Sequence, residues 1–380
     1  MKRNILVTTV TESSYQHGVI YVTNGLGAGG IERNIRVVSS NVGSEYRPEI
    51  WTTQAIPDQD ELGIPVQLFR RKIRFDPITI LSMRSKLKHN KASILHIYHF
   101  ASGIHALLAN LTLGRCRKKM IFSFGSARKD SRMISAFFSM AGKYGDWITG
   151  NSPSVLKGLQ QHGVPESKME LLPNGHDTSI YVTEKSKAEL RRHLKLPLNK
   201  KLIITTGRLA NSKRICDLLD AIPLMSSKDE VHVAIVGDGP LRSELEKQTI
   251  QLNIRDQVTF AGHRSDVASF LLAGDVFVFP SETEGLPNSL IESSLAGLPI
   301  VACEAPGVVD VIRNEVNGLL VPIRSPAQLA TAAERILNDH SMTARFITEA
   351  KETAQEKYCL NTVIQQVRNI YSRILDQSSE

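Results

Sequence analysis

The chain has 380 residues, of which 42% are hydrophobic and 22% charged, and this favours a soluble enzyme of two domains. No run of 18 or more apolar residues and no signal-peptide pattern occurs, so we predict a cytoplasmic protein without a transmembrane helix. The four cysteines lack CxxC spacing and clustered histidines, so they suggest neither a disulfide framework nor a zinc site and are interpreted as reduced, mostly buried thiols.

The formal net charge of +8 is unevenly spread along the chain. Residues 1–180 carry 23 Lys and Arg against 13 Asp and Glu, whereas the remainder carries 23 against 25. Such an imbalance is typical of a surface that meets nucleic acid, phosphate esters or acidic lipid, although a scattered solvated surface would also produce it. The first half lacks the interleaved aromatic residues of a single-strand platform, which argues against nucleic acid. The basic residues cluster at 70–74, 84–91 and 115–119, followed by Arg128, Lys129 and Arg132.

Apolar, β-rich runs alternate with helical patterns, as at residues 19–23 and 94–98, and this alternation predicts βαβ units with parallel sheets. A second series starts at residues 201–207, and the polar stretch 173–186 separates the two. We therefore predict two Rossmann-like domains whose ligands bind beyond the carboxyl ends of the strands. Residues 1–17 precede the first clear unit and are interpreted as an edge strand or an extension.

The first loop of this kind carries Gly25, Gly27 and Gly30, which form a GxGxxG between a strand and a helix. Such a loop lets the backbone approach a phosphate, but the glycines could equally serve only a tight turn. A dinucleotide site would place an acid after the next strand, which here ends in Thr53 and Gln54, so NAD and FAD are disfavoured.

Two histidines, His96 and His99, end a later strand of the first half. At that position either could face a ligand. The alternative is an ordinary histidine whose hydrogen bonds are satisfied within the fold.

The first loop of the second half contains Gly207, Arg208 and Lys213. Arg offers a planar fork to phosphate oxygens and Lys a mobile point charge, so two cations five residues apart suit a diphosphate. Solvated surface cations are the alternative, but the position at the end of a strand favours binding.

The most informative stretch is residues 280–302. Pro287 is expected at the first position of a helix, which would give Asn288 and Ser289 free N–H groups and a dipole that favours phosphate. Glu284 would then lie in the preceding loop and Glu292 more than one turn inside the helix, too far apart for a shared acid–base pair. A carboxylate can instead accept two hydrogen bonds from the diol of a ribose or hexose.

A further loop, residues 236–240, also follows a strand. The simpler interpretation is structural, with Asp238 as a helix N-cap close to Pro240.

Together these motifs resemble glycosyltransferase family 4, whose members are retaining enzymes with the GT-B fold. The resemblance covers nearly the whole chain, and five motifs in the same order make it specific. They are GLGAGGIER (25–33), PNGHDTSIY (173–181), GRLANSK (207–213), VGDGP (236–240) and EGLPNSLIE (284–292).

The resemblance implies two domains facing across a cleft, with a C-terminal helix that crosses back to the first. The expected bounds are 1–178 for the acceptor-side domain, 179–357 for the nucleotide-sugar domain and 358–380 for the helix. Arg208, Lys213 and Glu284 would be catalytic, with Arg208 and Lys213 on the donor diphosphate and Glu284 on the transferred sugar. The implied substrate-binding residues are Gly29, Gly30, His99, Gly207, His263, Leu286, Asn288, Ser289, Leu290 and Glu292.

One position departs from the family pattern. Members often carry a histidine beside a glycine at the end of a first-domain strand, where this chain has Phe124 next to Gly125. His99, Ser123 or Ser126 would have to replace it, unless the sugar is held differently.

The implied activity is transfer of a hexose-type sugar, from UDP-sugar rather than GDP-sugar, to a glycan or lipid-diphosphate-linked saccharide in cell-surface polysaccharide synthesis. No cofactor or metal is expected, because the protein's own cations would neutralise the leaving diphosphate, and the basic first half predicts peripheral contact with an anionic membrane. The alternatives are a nucleotide-sugar epimerase or phosphorylase, or a catalytically silent binder.

Overall fold

The computed structural model describes residues 17–27, 29–56, 62–127 and 132–376. The chain forms two compact units, one from Met1–Gly150, Gly158–Leu172 and Ile364–Glu380 and the other from Asn151–Lys157 and Pro173–Val363. The expectation of a strand or extension before residue 17, and the basic residues Arg128 and Lys129, lie outside the described residues.

The first unit contains a parallel sheet of seven strands in the order β3-β2-β1-β4-β5-β6-β7. Its central strands are buried on both faces, as the continuous apolar runs predict. The strands are β1 Gly18–Thr23, β2 Pro48–Thr52, β3 Val66–Leu68, β4 Ala92–Ile97, β5 Lys119–Phe124, β6 Trp147–Gly150 and β7 Met169–Leu171. The helices that follow them are α1 Gly30–Asn41, α2 Pro77–His89, α3 Phe100–Leu111, α4 Arg132–Tyr144 and α5 Pro153–Gln161, and the part of α5 up to Lys157 is assigned to the second unit.

The second unit contains a parallel sheet of six strands in the order β10-β9-β8-β11-β12-β13. Its strands are β8 Lys201–Thr206, β9 Val231–Val236, β10 Val258–Gly262, β11 Val276–Phe279, β12 Ile300–Cys303 and β13 Leu319–Val321. Its helices are α6 Lys187–Leu194, α7 Ile215–Ala221, α8 Arg242–Gln251, α9 Val267–Ala273, α10 Asn288–Leu295, α11 Pro326–Asn338 and α12 His340–Tyr358. The predicted pair of Rossmann-like domains is therefore confirmed.

The last helix, α13 Leu360–Asp376, belongs to the first unit from Ile364 onward. Its Tyr371 is fully buried, with the hydroxyl 2.7 Å from Nδ1 of His96 and 3.1 Å from the hydroxyl of Tyr21. The expected C-terminal helix is thus present, and it completes the core of the first unit.

The first unit is interrupted after Leu172 and resumes at Ile364, whereas the sequence suggested that the first domain ends at 178 and that the C-terminal helix begins at 358. The cysteine interpretation was wrong in one respect, since Cys303 is buried but Cys116 is exposed and the other two are partly exposed. Within the described residues, no helix is both long and apolar enough to cross a bilayer.

Candidate active site

The loops that follow β8, β9 and β10 are joined by backbone hydrogen bonds. Gly207 N–H donates to the carbonyl of Val236 at 3.0 Å, and Gly237 N–H donates to the carbonyl of Gly262 at 2.8 Å. Gly237 has φ +142°, and a Cβ there would lie 1.9 Å from the carbonyl oxygen of Gly207. The close approach therefore requires glycine, and it fixes the course of the Gly207 loop.

The expected N-cap role of Asp238 is wrong, because α8 begins at Arg242 with Leu241 in the capping position. Asp238 instead pairs with Arg242 at 2.8 Å, and its carbonyl accepts from Leu209 N–H at 3.0 Å. The loop thus supports the neighbouring Arg208 segment through its backbone.

Lys213 ends a short 3₁₀ turn and reaches Glu284 in the loop after β11. Its Nζ lies 2.5 Å from Oε1 of Glu284, with 22% and 13% of the two side chains exposed, and 5.3 Å from the centre of the Phe279 ring. The structure therefore brings together the predicted phosphate cation and the predicted sugar-binding carboxylate. An ion pair in a partly dry position is held more strongly than one on the surface.

Two other predicted residues, Arg208 and His263, are exposed. Arg208 follows Gly207 directly, and no hydrogen bond or ion pair is recorded for it among the described residues. His263 follows the end of β10. Neither is committed to a role in the core, so both are available to a ligand.

Helix α10 begins at Asn288, one residue later than expected, with Pro287 in the N-cap position and no side-chain cap. Asn288 and Ser289 therefore occupy the first turn, where backbone N–H groups lack partners inside the helix. Glu292 lies one turn further on and is 8% exposed. Leu286 and Leu290 are buried in the core of the second unit, so their side chains position the helix.

Two supporting residues were not identified from the sequence. Asn174 donates from its side-chain amide to Oδ1 of Asn288 at 2.9 Å. Gly307 has φ +80°, and a Cβ there would lie 2.3 Å from the carbonyl of Gly285, while Glu284 N–H donates to the carbonyl of Pro306. The first lies in a segment interpreted as a domain boundary and as a family motif without a role for this residue, and the Pro–Gly pair after β12 was the available signal for the second.

In the first unit, Gly29 caps α1 without a side-chain hydrogen bond and Gly30 is its first residue. His99 caps α3, with Nδ1 2.9 Å from Oγ1 of Thr23 and Nε2 3.5 Å from Oε1 of Glu32. The hydrogen bond to His99 is the largest of several effects that together lower the pKa of Glu32. Glu32 therefore links His99 to the first turn of α1, next to Gly29.

His96, in contrast, is a core residue, with Nε2 2.6 Å from Oγ of Ser123. Burial lowers the pKa of His96 to about 3, so it is neutral in the folded protein.

The departure at Phe124 has a packing role. Its ring is buried and meets those of Phe137 and Phe138 edge to face. Of the proposed substitutes for the family's histidine, Ser123 is committed to His96, whereas His99 is partly exposed and Ser126 exposed.

In the part of the chain that the structure describes, no three His, Cys, Asp or Glu side chains are grouped as metal ligands.

Comparison with known proteins places both halves of the chain in glycosyltransferase families. Residues 18–180 match the model for Glycosyltransferase Family 4, and residues 186–353 match that for Glycosyl transferases group 1. The two matched segments together span most of the chain, which therefore carries both domains of a GT4-like glycosyltransferase.

Two curated relatives are representative. The uncharacterized glycosyltransferase MJ1607 of Methanocaldococcus jannaschii is 29% identical over 57% of this chain and 58% of its own length. The UDP-Gal:alpha-D-GlcNAc-diphosphoundecaprenol alpha-1,3-galactosyltransferase of Escherichia coli is 25% identical over 70% of this chain and 71% of its own. The chain spans little more than half the length of MJ1607 and of relatives at similar identity.

Among solved structures, Anabaena Alr3699/HepE in complex with UDP and glucose superimposes with a TM-score of 0.85 at 18% identity, covering 94% of this chain and all of that one. This likeness confirms the GT-B fold.

Proposed function

We propose that the chain transfers a hexose-type sugar from a nucleotide sugar, preferably a UDP-sugar, to a glycan or lipid-linked saccharide in the synthesis of a surface polysaccharide. The observation that carries the proposal is the Lys213–Glu284 pair beside the first turn of α10. The UDP and glucose in the Anabaena structure, and the UDP-galactose in the name of the Escherichia coli relative, support the donor class.

In the proposed mechanism, the donor diphosphate lies against Arg208, Lys213 and the N–H groups of the first turn of α10. Lys213 and the helix N–H groups are held in place before the reaction, so they stabilise the charge that develops on the leaving phosphates with little reorganisation, and the exposed Arg208 adds a further positive charge. Since Lys213 is paired in the free protein, an incoming phosphate shares it with Glu284.

The two glutamates have separate tasks. We assign Glu292 to the ribose hydroxyls and Glu284 to the transferred hexose, since a carboxylate can accept two hydrogen bonds from a diol. We further propose retention at the anomeric carbon and activity without a metal, because the two cations supply the charge neutralisation that a metal would otherwise provide.

The acceptor is proposed to be anionic, because residues 1–180 carry the whole excess of positive charge. A lipid-diphosphate-linked saccharide at the cytoplasmic face of a membrane has both the charge and the location. The lipid-diphosphate acceptor named for the Escherichia coli relative supports this class.

The deciding experiment measures release of UDP from UDP-hexoses with and without a diphospholipid-linked N-acetylglucosamine acceptor, in EDTA and in added Mg²⁺. We expect acceptor-dependent release in both, with an α-linked product by NMR. Interconversion of sugars without acceptor, or release driven by inorganic phosphate, would indicate an epimerase or a phosphorylase. UDP binding without any turnover would indicate a silent binder.

A further inference from the structure

Four large apolar side chains lie exposed within nine residues of the first unit. Ile73 is 61% exposed, Phe75 44%, Ile78 71% and Leu81 64%. Single exposed apolar residues are ordinary on a protein surface, but a cluster of this kind marks a contact surface.

Helix α2 carries apolar residues on two sides. Thr79, Met83 and Leu87 recur every four residues and are buried against the unit. Ile78 and Leu81 project from the opposite side, where the next turns carry serine and basic residues. The outer side of α2 is therefore apolar near the N-terminus of the helix, and its apolar side chains are not covered by any of the described residues.

The segment before α2 is held in place. The side chain of Asp76 accepts from the N–H of Lys72 and of Ile78, both at 3.0 Å, and Asp76 N–H donates to Nε2 of His105 at 3.0 Å. Thr79 donates to the carbonyl of Arg70 at 3.3 Å. These bonds hold the backbone that carries the exposed Ile73 and Phe75 in place relative to the helix. The segment therefore needs little further ordering when these two side chains contact a partner.

The same stretch of sequence is strongly basic. Residues 70–89 contain seven Lys and Arg and one acid, Asp76, which is buried. The cations are Arg70, Arg71, Lys72, Arg74, Arg84, Lys86 and Lys88.

The other described basic cluster, residues 115–119, is different. Arg117 donates to the carbonyl of Tyr144 at 3.0 Å, Lys118 to that of Asn90 at 2.9 Å, and Lys119 pairs with Asp146 at 3.5 Å. Three of its four cations thus bond within the fold, and none of the large exposed apolar side chains lies within it.

We propose that residues 70–75 and the outer side of α2 form a docking face for an anionic lipid bilayer. Ile73, Phe75, Ile78 and Leu81 enter the boundary between headgroups and acyl chains, while the cations extend to the lipid phosphates. Positive charge combined with exposed apolar side chains fits a bilayer that is negative at its surface and apolar beneath it. The inference deepens the membrane part of the proposed function and rests on it.

The test is sedimentation of the full chain with vesicles of phosphatidylcholine alone and of phosphatidylcholine mixed with phosphatidylglycerol. We expect binding to the anionic vesicles only. Ile78→Ser with Leu81→Ser should weaken it about tenfold or more, because less apolar area enters the bilayer. Replacing Arg70, Lys72 and Arg74 by Gln should weaken it about 100-fold, because each cation near the surface contributes roughly fivefold.

The matched control is Leu224→Ser with Ile250→Ser, which removes two side chains of similar exposure, 57% and 62%, from the second unit. It should bind like the unaltered chain. The proposal would be overturned if the apolar variant, the basic variant and the control all bound anionic vesicles equally. It would also be overturned if the unaltered chain were a dimer and the Ile78/Leu81 variant a monomer, since the face would then be an interface between two copies. UDP affinity should remain the same in every variant, so failure here is separable from failure of the proposed enzyme.

Discussion

Both units place a glycine-bearing loop after a central strand, but the glycines are needed for different reasons. In the second unit, a Cβ on Gly237 would overlap the Gly207 carbonyl, and one on Gly239 would lie 2.5 Å from the carbonyl of Leu209. In the first unit, a Cβ on Gly27 would meet nothing within 4 Å, and the atoms nearest to one on Gly29 would be those of the Glu32 carboxylate. The second unit's loops are thus shaped by backbone against backbone, whereas Gly27 and Gly29 of the first unit are not held by such backbone contacts.

The largest effect is expected from Gly237→Ala. The overlap and the positive φ together should destabilise the second unit by about 3 kcal/mol or more and abolish UDP binding. Gly27→Ala in the first unit should leave the free energy of unfolding nearly unchanged. Urea unfolding of both variants is the measurement, and equal losses of stability would remove the contrast between the loops.

The cations of the second unit provide the next test. Arg208→Ala and Lys213→Ala should each weaken UDP binding by about 10-fold to 150-fold, since each removes a charge-assisted hydrogen bond. Lys201→Ala, an exposed cation at the opposite end of β8, should have no effect. Isothermal titration calorimetry measures the UDP affinity of each variant. Unchanged affinity in both the Arg208 and the Lys213 variant would show that these residues do not bind the diphosphate.

A buried histidine gives the first unit a pH dependence. The pKa of His96 is lowered to about 3, so between about pH 6.5 and 3 the unfolded chain binds a proton that the folded chain does not. His96 therefore does not affect the free energy of unfolding well above pH 6.5. Below that pH, proton binding by the unfolded chain lowers the free energy of unfolding, by about 2 kcal/mol at pH 5. His96→Gln should flatten this part of the curve of unfolding free energy against pH. Parallel curves for the variant and the unaltered chain would contradict it.

The smallest effect is expected on nucleotide binding when the Lys213–Glu284 pair is broken from the acidic side. Glu284→Gln should leave UDP affinity equal or slightly higher, because Lys213 is then free for phosphate, while turnover of UDP-sugar falls sharply. Glu292→Gln should weaken UDP itself. Titration with UDP and initial rates separate the two, and a shared loss of UDP affinity would show that the division of roles is wrong.

The sequence predicted the parallel sheets because their strands are continuous apolar runs ending in glycine or proline, and the motif order placed Lys213 and Glu284 in one unit. Asp238 was misassigned because a short polar residue before Pro240 has the same local pattern whether it caps a helix or pairs with Arg242. The bracing of Glu284 by Gly307, and of Asn288 by Asn174, depends on contacts between distant segments, which local patterns do not encode.

The contact between Tyr371 and His96 joins residues separated by the whole of Pro173–Val363. During synthesis, the second unit is therefore complete before the first can acquire its final helix. Until then His96 lacks its Tyr371 partner, and the apolar surface that α13 covers stays open to chaperones or to aggregation. The order in which the two units are completed is thus opposite to the order in which they begin, and the unit that is started first is the last to mature.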